Sequence, residues 1–390
     1  MNVLIFVLHV EYIYVKIVYI VKVHYKESCM KKIMAILSML ILVFAFSSCE
    51  VETKFETEAL LIPEMVFVKG GIIEGEDYPW APPKGNFPKG RRVQLSDFAI
   101  GKYEVTQEEY YSVMKDEVVS VTAYVDGVGE RTAEFFMDSR PSFCKPNNPP
   151  YHCFEGENQE RRPVEGITFY DAIWYCNVLS RKTGLEPVYK IKVIEVTSVN
   201  FSSHITDAEV EMISGANGYR LPTECEAEYA MRGGDPNKPN WDYLFSGAPS
   251  EPSRERYSIN KGLDLVGWYR YNNKTGDSAT SDSDKENDTY YSYKGTHEVG
   301  KKKPNSLGLF DMSGNVSEYC YGKIDYTKEP KYTGELEINP VRNDETGNER
   351  PSYGGSWRSG AGSAIVHSFP ANNDSFSNAN TGFRVVRSVD

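Results

Sequence analysis

The chain has 390 residues, 40% of them hydrophobic and 25% charged, enough for one large or two ordinary soluble domains. Its formal net charge is −12, and beyond residue 48 there are 38 basic against 53 acidic residues. That balance excludes nucleic acid and anionic lipid as main partners, because both need a basic footprint. The 27 Tyr serve either a core or a contact surface. Cys29, Cys49, Cys144, Cys153, Cys176, Cys225 and Cys320 form no C-x-x-C pair, which argues against a zinc or thioredoxin-type site. Cys144 and Cys153 flank a Pro/Asn-rich loop and suit a local disulfide. Cys176, Cys225 and Cys320 read equally well as free buried thiols.

In chain order, residues 30–48 read as a signal peptide. Lys31 and Lys32 precede an apolar run from Ile33 to Phe46, and Phe-Ser-Ser leads into Cys49. The segment resembles a bacterial lipoprotein signal, although Phe46 stands where such signals usually have Leu. The resemblance implies lipidation at Cys49 and an exported chain anchored to the bacterial outer membrane or cell surface. The apolar run is too short for a membrane span. Residues 1–29 precede this complete signal and read as a mis-called start, with translation from Met30; a membrane segment is the alternative. Residues 49–59 form a tether.

From residue 60 onward, strand-like runs are short and separated by Gly, Pro, Asn and Asp clusters. Helices are predicted at Thr106–Met114 and Thr223–Arg232, each opened by a cap-like threonine, and at Thr168–Lys182, where Ile173, Trp174, Cys176 and Leu179 have roughly helical spacing. Residues 272–295, dominated by Asn, Asp, Ser, Thr and Lys, read as a long exposed loop. No internal repeat is visible. The pattern gives an α+β domain over 60–390 with much irregular structure.

Several blocks within that domain have a distinctive order: MVFVKGGIIEG from Met65, YEVTQEEY from Tyr103, RPVEGITFYDAIWYCNVLS from Arg162, GYRLPTECEAEYAMRGG from Gly218, PNSLGLFDMSGNVSEY from Pro304, YGGSW from Tyr353 and TGFRVVR from Thr381. Together they resemble the formylglycine-generating-enzyme (sulfatase-modifying factor) family. The resemblance implies a C-type-lectin-like fold, loop-rich with few short helices and strands. Arg220 and Arg384 read as members of buried polar networks, where a five-donor guanidinium satisfies several acceptors.

The catalytic members of that family carry two cysteines after the GGS-aromatic block. Here those positions are Ser359 and Ala364. Neither supplies the thiolate that copper(I) requires, so no copper and no formylglycine formation are expected. The six histidines show no H-E-x-x-H motif, and Ser356 is not in a G-x-S-x-G elbow. The family's G-N-x-x-E segment is Gly314–Glu318, so the resemblance implies a structural Ca²⁺ on Asn315, Val316 and Glu318. The alternative is that Asn315 shapes a turn and Glu318 pairs with a basic group.

From Arg358 to Asp390 there is no Lys, Glu, Gln, Met or Trp, whereas 325–357 hold two Lys, five Glu and Trp357. None of the five missing residue types has a codon ending in a pyrimidine, as expected if adenines of AAY codons had been replaced. This resembles the variable region of diversity-generating retroelement proteins, placed here at 358–387. On that reading Trp357, Ser359, Gly360, Ala361, Ile365, His367, Phe369, Asn372, Asn373 and Phe376 contact a protein or glycan ligand. Ile365–Val366 and Val385–Val386 read equally as core strand. Two functions follow: a non-catalytic surface-displayed binding lipoprotein, receptor- or adhesin-like, or an enzyme or accessory factor acting on cell-envelope or sulfated substrates through another site of the fold.

Overall fold

Three helices begin at capping boxes. Thr106 caps α1 (Gln107–Met114), Thr168 caps α2 (Phe169–Lys182) and Thr223 caps α3 (Glu224–Met231). In each, the threonine hydroxyl accepts the N–H three residues on, and that residue's carboxylate accepts the threonine N–H. Each cap contributes about 1 kcal/mol relative to alanine. The expected starts and lengths are therefore observed. A further helix, α4 (Lys261–Val266), capped by Asn260, is too short to show a period in the sequence.

The computed structural model describes residues 59–77, 85–125, 128–148, 151, 154–199, 202–249, 260–273, 295–325, 327–328, 331–344, 346–347, 349–368 and 371–389. Residues 59–390 form one compact unit. The expectations for the signal peptide, Cys49, the tether, Cys153 and Phe369, and for most of the 272–295 loop, lie outside the described residues.

The strands run β1 (Met65–Val68), β2 (Gly71–Glu74), β3 (Arg92–Leu95), β4 (Phe98–Gly101), β5 (Val118–Val125), β6 (Gly129–Phe136) and β7 (Tyr189–Val199). They continue as β8 (Ser202–Met212), β9 (Ser317–Tyr319), β10 (Leu336–Ile338), β11 (Glu349–Tyr353), β12 (Ala371–Asn373), β13 (Thr381–Gly382) and β14 (Val386–Ser388). The first four make one bent ribbon: β1 pairs with β4 and β2 with β3 in an unbroken antiparallel register. Gly70 N–H donates to the Asp97 carboxylate (2.8 Å) at the bend. β14 completes the sheet β1-β4-β14, so the two ends of the domain flank one strand. A second sheet, β12-β11-β9-β13, carries the C-terminal segment.

The hairpins β5–β6 and β7–β8 correct the expectation of uniformly short strands. β7 and β8 have 11 residues each. Ile191, Val193 and Val196 pack on the core, while Lys190 and Lys192 face Glu211 and Glu209 on the outer side. A register shift around Glu195 breaks the alternation that would have marked one long strand.

The largest apolar cluster joins α1 and α2 to the C-terminal strands. Tyr110 stacks on Tyr175 (5.4 Å), and Phe383 sits edge-on to both. The next residue, Arg384, is fully buried and grips both Glu318 oxygens at 2.5 Å while donating to the carbonyls of Gly101 and Phe310. Arg220 grips both oxygens of Glu226 at 2.7 Å. Both arginines thus occupy the buried networks read from the sequence.

Candidate functional site

The site grows from the turn after β11. Gly354 and Gly355 have φ of +87° and +64°, and a Cβ on Gly355 would lie 2.8 Å from the Ser363 carbonyl oxygen. Only glycine suits that backbone. The turn drives Trp357 inward: its backbone N–H donates to the Asn315 carbonyl (2.7 Å) and its indole N–H to the Ala379 carbonyl (2.8 Å). Tyr151 meets the ring edge-on at 6.4 Å. Trp357 is buried, so it anchors the segment and does not face a ligand, a correction to the expected contact set.

The chain then runs through the old catalytic positions of the resemblance. Ser359 is half-buried, its hydroxyl 3.0 Å from that of Ser356. Its carbonyl accepts the Arg270 N–H (3.0 Å). Ala364 is fully buried in a cluster with Phe245, Leu263 and Tyr269, and its carbonyl accepts the Ser313 hydroxyl. A hydroxyl and a packed methyl therefore stand there. Cys144 is a free, buried thiol beside Trp357. Burial, with Glu165 nearby, pushes its pKa well up, so this thiol is not poised to act as a thiolate.

Two more expected contact residues are interior. Ala361 packs in the Tyr269 cluster at the start of a 3-10 turn, Ala361–Ser363. His367 is buried against Gly85 and near Glu228 and Arg232; burial lowers its pKa, Glu228 opposes that and Arg232 adds to it. Gly360 and Ile365 are half-buried, the latter against the Tyr269 cluster.

The segment 372–378 turns outward. Asn372 pairs opposite Arg350 and donates to the Ser352 hydroxyl (2.8 Å). Asn373 is exposed, and its side-chain oxygen accepts the N–H and hydroxyl of Ser375. Phe376 is 66% exposed, while its carbonyl accepts the buried Tyr319 hydroxyl (3.2 Å). Asp374 fastens the loop: its carboxylate accepts the Tyr170 hydroxyl (2.9 Å) and lies 3.5 Å from Arg350, and its carbonyl accepts the Phe169 N–H at the start of α2. Tyr170 lies in one of the distinctive blocks and Arg350 and Asp374 in none, and the sequence gives no signal for their meeting. The result is a rigidly footed loop presenting one aromatic and several small polar side chains.

The calcium residues do not fit that ion as placed. Asn315 has φ +59°; its side-chain oxygen accepts the His297 N–H (2.9 Å), and its amide donates to Glu104 (2.7 Å) and the His297 carbonyl (3.2 Å). Val316 N–H donates to the same Glu104 carboxylate (2.9 Å). Glu318 is consumed by Arg384. The alternative reading of these residues, a turn and a carboxylate–cation pair, describes them. Among the described residues, no group of three or more His, Cys, Asp or Glu is arranged to hold a metal.

Residues 51–389 match the model of the sulfatase-modifying factor enzyme 1-like domain. The chain is 31% identical over 328 residues to a protein named chaperone protein LppX from Paenibacillus barcinonensis, covering 83% of this chain and 89% of that one. It is 27% identical over 336 residues to a formylglycine-generating enzyme of Thermomonospora curvata, covering 82% and 92%. Among solved structures, Treponema denticola variable protein 1 superimposes with a TM-score of 0.56 at 26% identity, over 83% of this chain and 95% of that one.

Proposed function

Because this chain belongs to the sulfatase-modifying factor enzyme 1-like family, whose fold it shares, we propose that it is a non-catalytic, surface-displayed lipoprotein that binds a protein or glycan through its outward C-terminal loop. The carrying observation is Phe376, exposed on a loop whose base is locked by Trp357, Tyr170 and Arg350. A rigid aromatic flanked by Asn373 and Ser375 is the composition of a contact surface: large area at little entropic cost, with adaptable hydrogen-bonders around it. Ser359 and Ala364 support the non-catalytic part, since neither position offers a thiolate. The absence of Lys, Glu, Gln, Met and Trp from 358–390 and the likeness to a protein titled a variable protein support diversification of this loop. The lipoprotein part rests on the signal leading into Cys49.

The coding DNA tests this. A nearby repeat that matches residues 358–387 except at adenines, with a reverse-transcriptase gene beside it, is expected. Without both, diversification of the loop is wrong. For binding, the protein is probed on protein and glycan arrays: Phe376→Ser abolishes the strongest signal with an unchanged unfolding curve, and retention of the signal counts against the loop.

A second reading draws on the relative named a chaperone. In it, the chain is an accessory factor for an exported partner. It predicts co-purification of one cell-envelope protein, insensitive to Phe376→Ser.

A further inference from the structure

Four large apolar side chains stand exposed around the bend of the β1–β4 ribbon. Phe67, 54% exposed, lies in a row with Ala99 and Arg387. Ile72, 52% exposed, lies in a row with Gln94 and Ile338, itself 64% exposed. Val389 sits at the corner between the rows, its N–H on the Asp97 carbonyl (3.3 Å). The neighbours Val68, Ile73, Val93 and Phe98 point into the core, so Phe67, Ile72 and Ile338 form an outward apolar set on the other side, with Gln94 and Arg387 between them. A solvated sheet face normally alternates to polar residues, and clustered apolar exposure marks a contact surface.

We propose that this face rests on the neutral lipid surface of the membrane, inserting Phe67, Ile72 and Ile338 at the boundary between headgroups and acyl chains. The proposal rests on the lipid-anchor reading of Cys49. Ten residue steps lead from Cys49 to Ala59. Fully extended they reach about 35 Å at most, so the leash holds the start of β1 close to the bilayer. Leu61 and Ile62, both exposed, add apolar side chains between the polar, Glu-rich leash and β1. Lys69 at the bend and the Arg92–Glu74 pair (2.9 Å) give the face a mixed charged rim. With the acidic excess of the chain, that rim favours zwitterionic over anionic lipid. The loop bearing Phe376 follows β12, in a different sheet.

Flotation with phosphatidylcholine vesicles tests the face apart from the anchor. The unit 59–390 contains the four apolar clusters of the described residues and is used without Cys49. The unit is expected to float with vesicles. Phe67→Ser/Ile72→Ser/Ile338→Ser is expected to lower its partition by about tenfold or more, with an unchanged unfolding curve. A Phe67→Trp variant should shift its emission to the blue on adding vesicles. No flotation of the parent, equal flotation of the triple variant, or a self-association abolished by the same substitutions overturns the proposal. Mass spectrometry of the mature protein judges acylation of Cys49 separately; its absence ends the anchor reading and leaves flotation to decide on the face.

Discussion

The indole N–H of Trp357 and the carbonyl of Ala379, 22 residues apart, are joined at 2.8 Å and close the base of the C-terminal segment. The Cys144 thiol, a weak donor, lies 3.9 Å from the same carbonyl. Trp357→Phe keeps most of the ring and removes the strong donor. The expected cost is about 1–2 kcal/mol, read from urea unfolding. Chymotrypsin should also cut faster after Phe376, because the loop loses its foot. An unchanged midpoint with unchanged cleavage would show that the bond does not hold the loop.

The Arg384–Glu318 pair makes a larger demand. Both side chains are buried, and both carboxylate oxygens are used by one guanidinium. Arg384→Met strands Glu318 in the interior and is expected to cost about 3–5 kcal/mol. Adding Glu318→Gln removes the stranded charge and should recover part of that loss, so the two substitutions are non-additive. Equilibrium unfolding of the two single variants and the double variant measures this. Additive losses would mean that the two groups act independently.

The sequence shows local chemistry better than it shows distant meetings. Thr106 and Thr223 announce their helices because a capping box lies within four residues, whereas the helix after Thr168 is legible by its apolar spacing and its capping box only in the structure. Arg220 and Arg384 announced buried networks by residue type and motif, but not their partners. The β7–β8 hairpin was missed where a bulge near Glu195 breaks the period of two. The binding segment was legible as a biased stretch and not as a surface. Which members face outward depends on β11 pairing with β12 and on Tyr170 reaching Asp374, 204 residues away. His367 and Ala361 look like surface residues in composition, yet the one is buried against Gly85 and the other in the Tyr269 cluster.

Glu165 sets a pH dependence. It is fully buried; burial raises its pKa to about 8, against the lowering effect of the Cys144 and Phe143 N–H groups that it accepts. Between the ordinary carboxyl range and about pH 8, the folded chain holds a proton that the unfolded chain has released. Its contribution to stability is therefore greatest below that range and falls as pH rises through the window. Glu165→Gln carries no titrating proton. Whatever its absolute stability, its unfolding free energy should fall less steeply than the parent's between about pH 5 and 8. Parallel slopes in pH-dependent denaturation would place the linkage elsewhere.

Restoring cysteines should not restore a metal centre. Ser359→Cys replaces a hydroxyl that accepts the Ser356 N–H at 3.2 Å, and a half-buried sulfur fits there at small cost. Ala364 differs, because its methyl is packed with Phe245, Leu263 and Tyr269 at zero exposure. An added sulfur in a filled cluster costs about 1–3 kcal/mol, so Ala364→Cys should lower the melting temperature while Ser359→Cys leaves it nearly unchanged. In the double variant one thiol is solvent-accessible and the other is buried, where a thiolate is disfavoured. A competition assay against a copper(I) chelator should accordingly find no tight binding. High-affinity copper(I) in the double variant, with an unaltered melting temperature, would mean that this interior still has room for the chemistry of the family's catalytic members and that packing has not closed it.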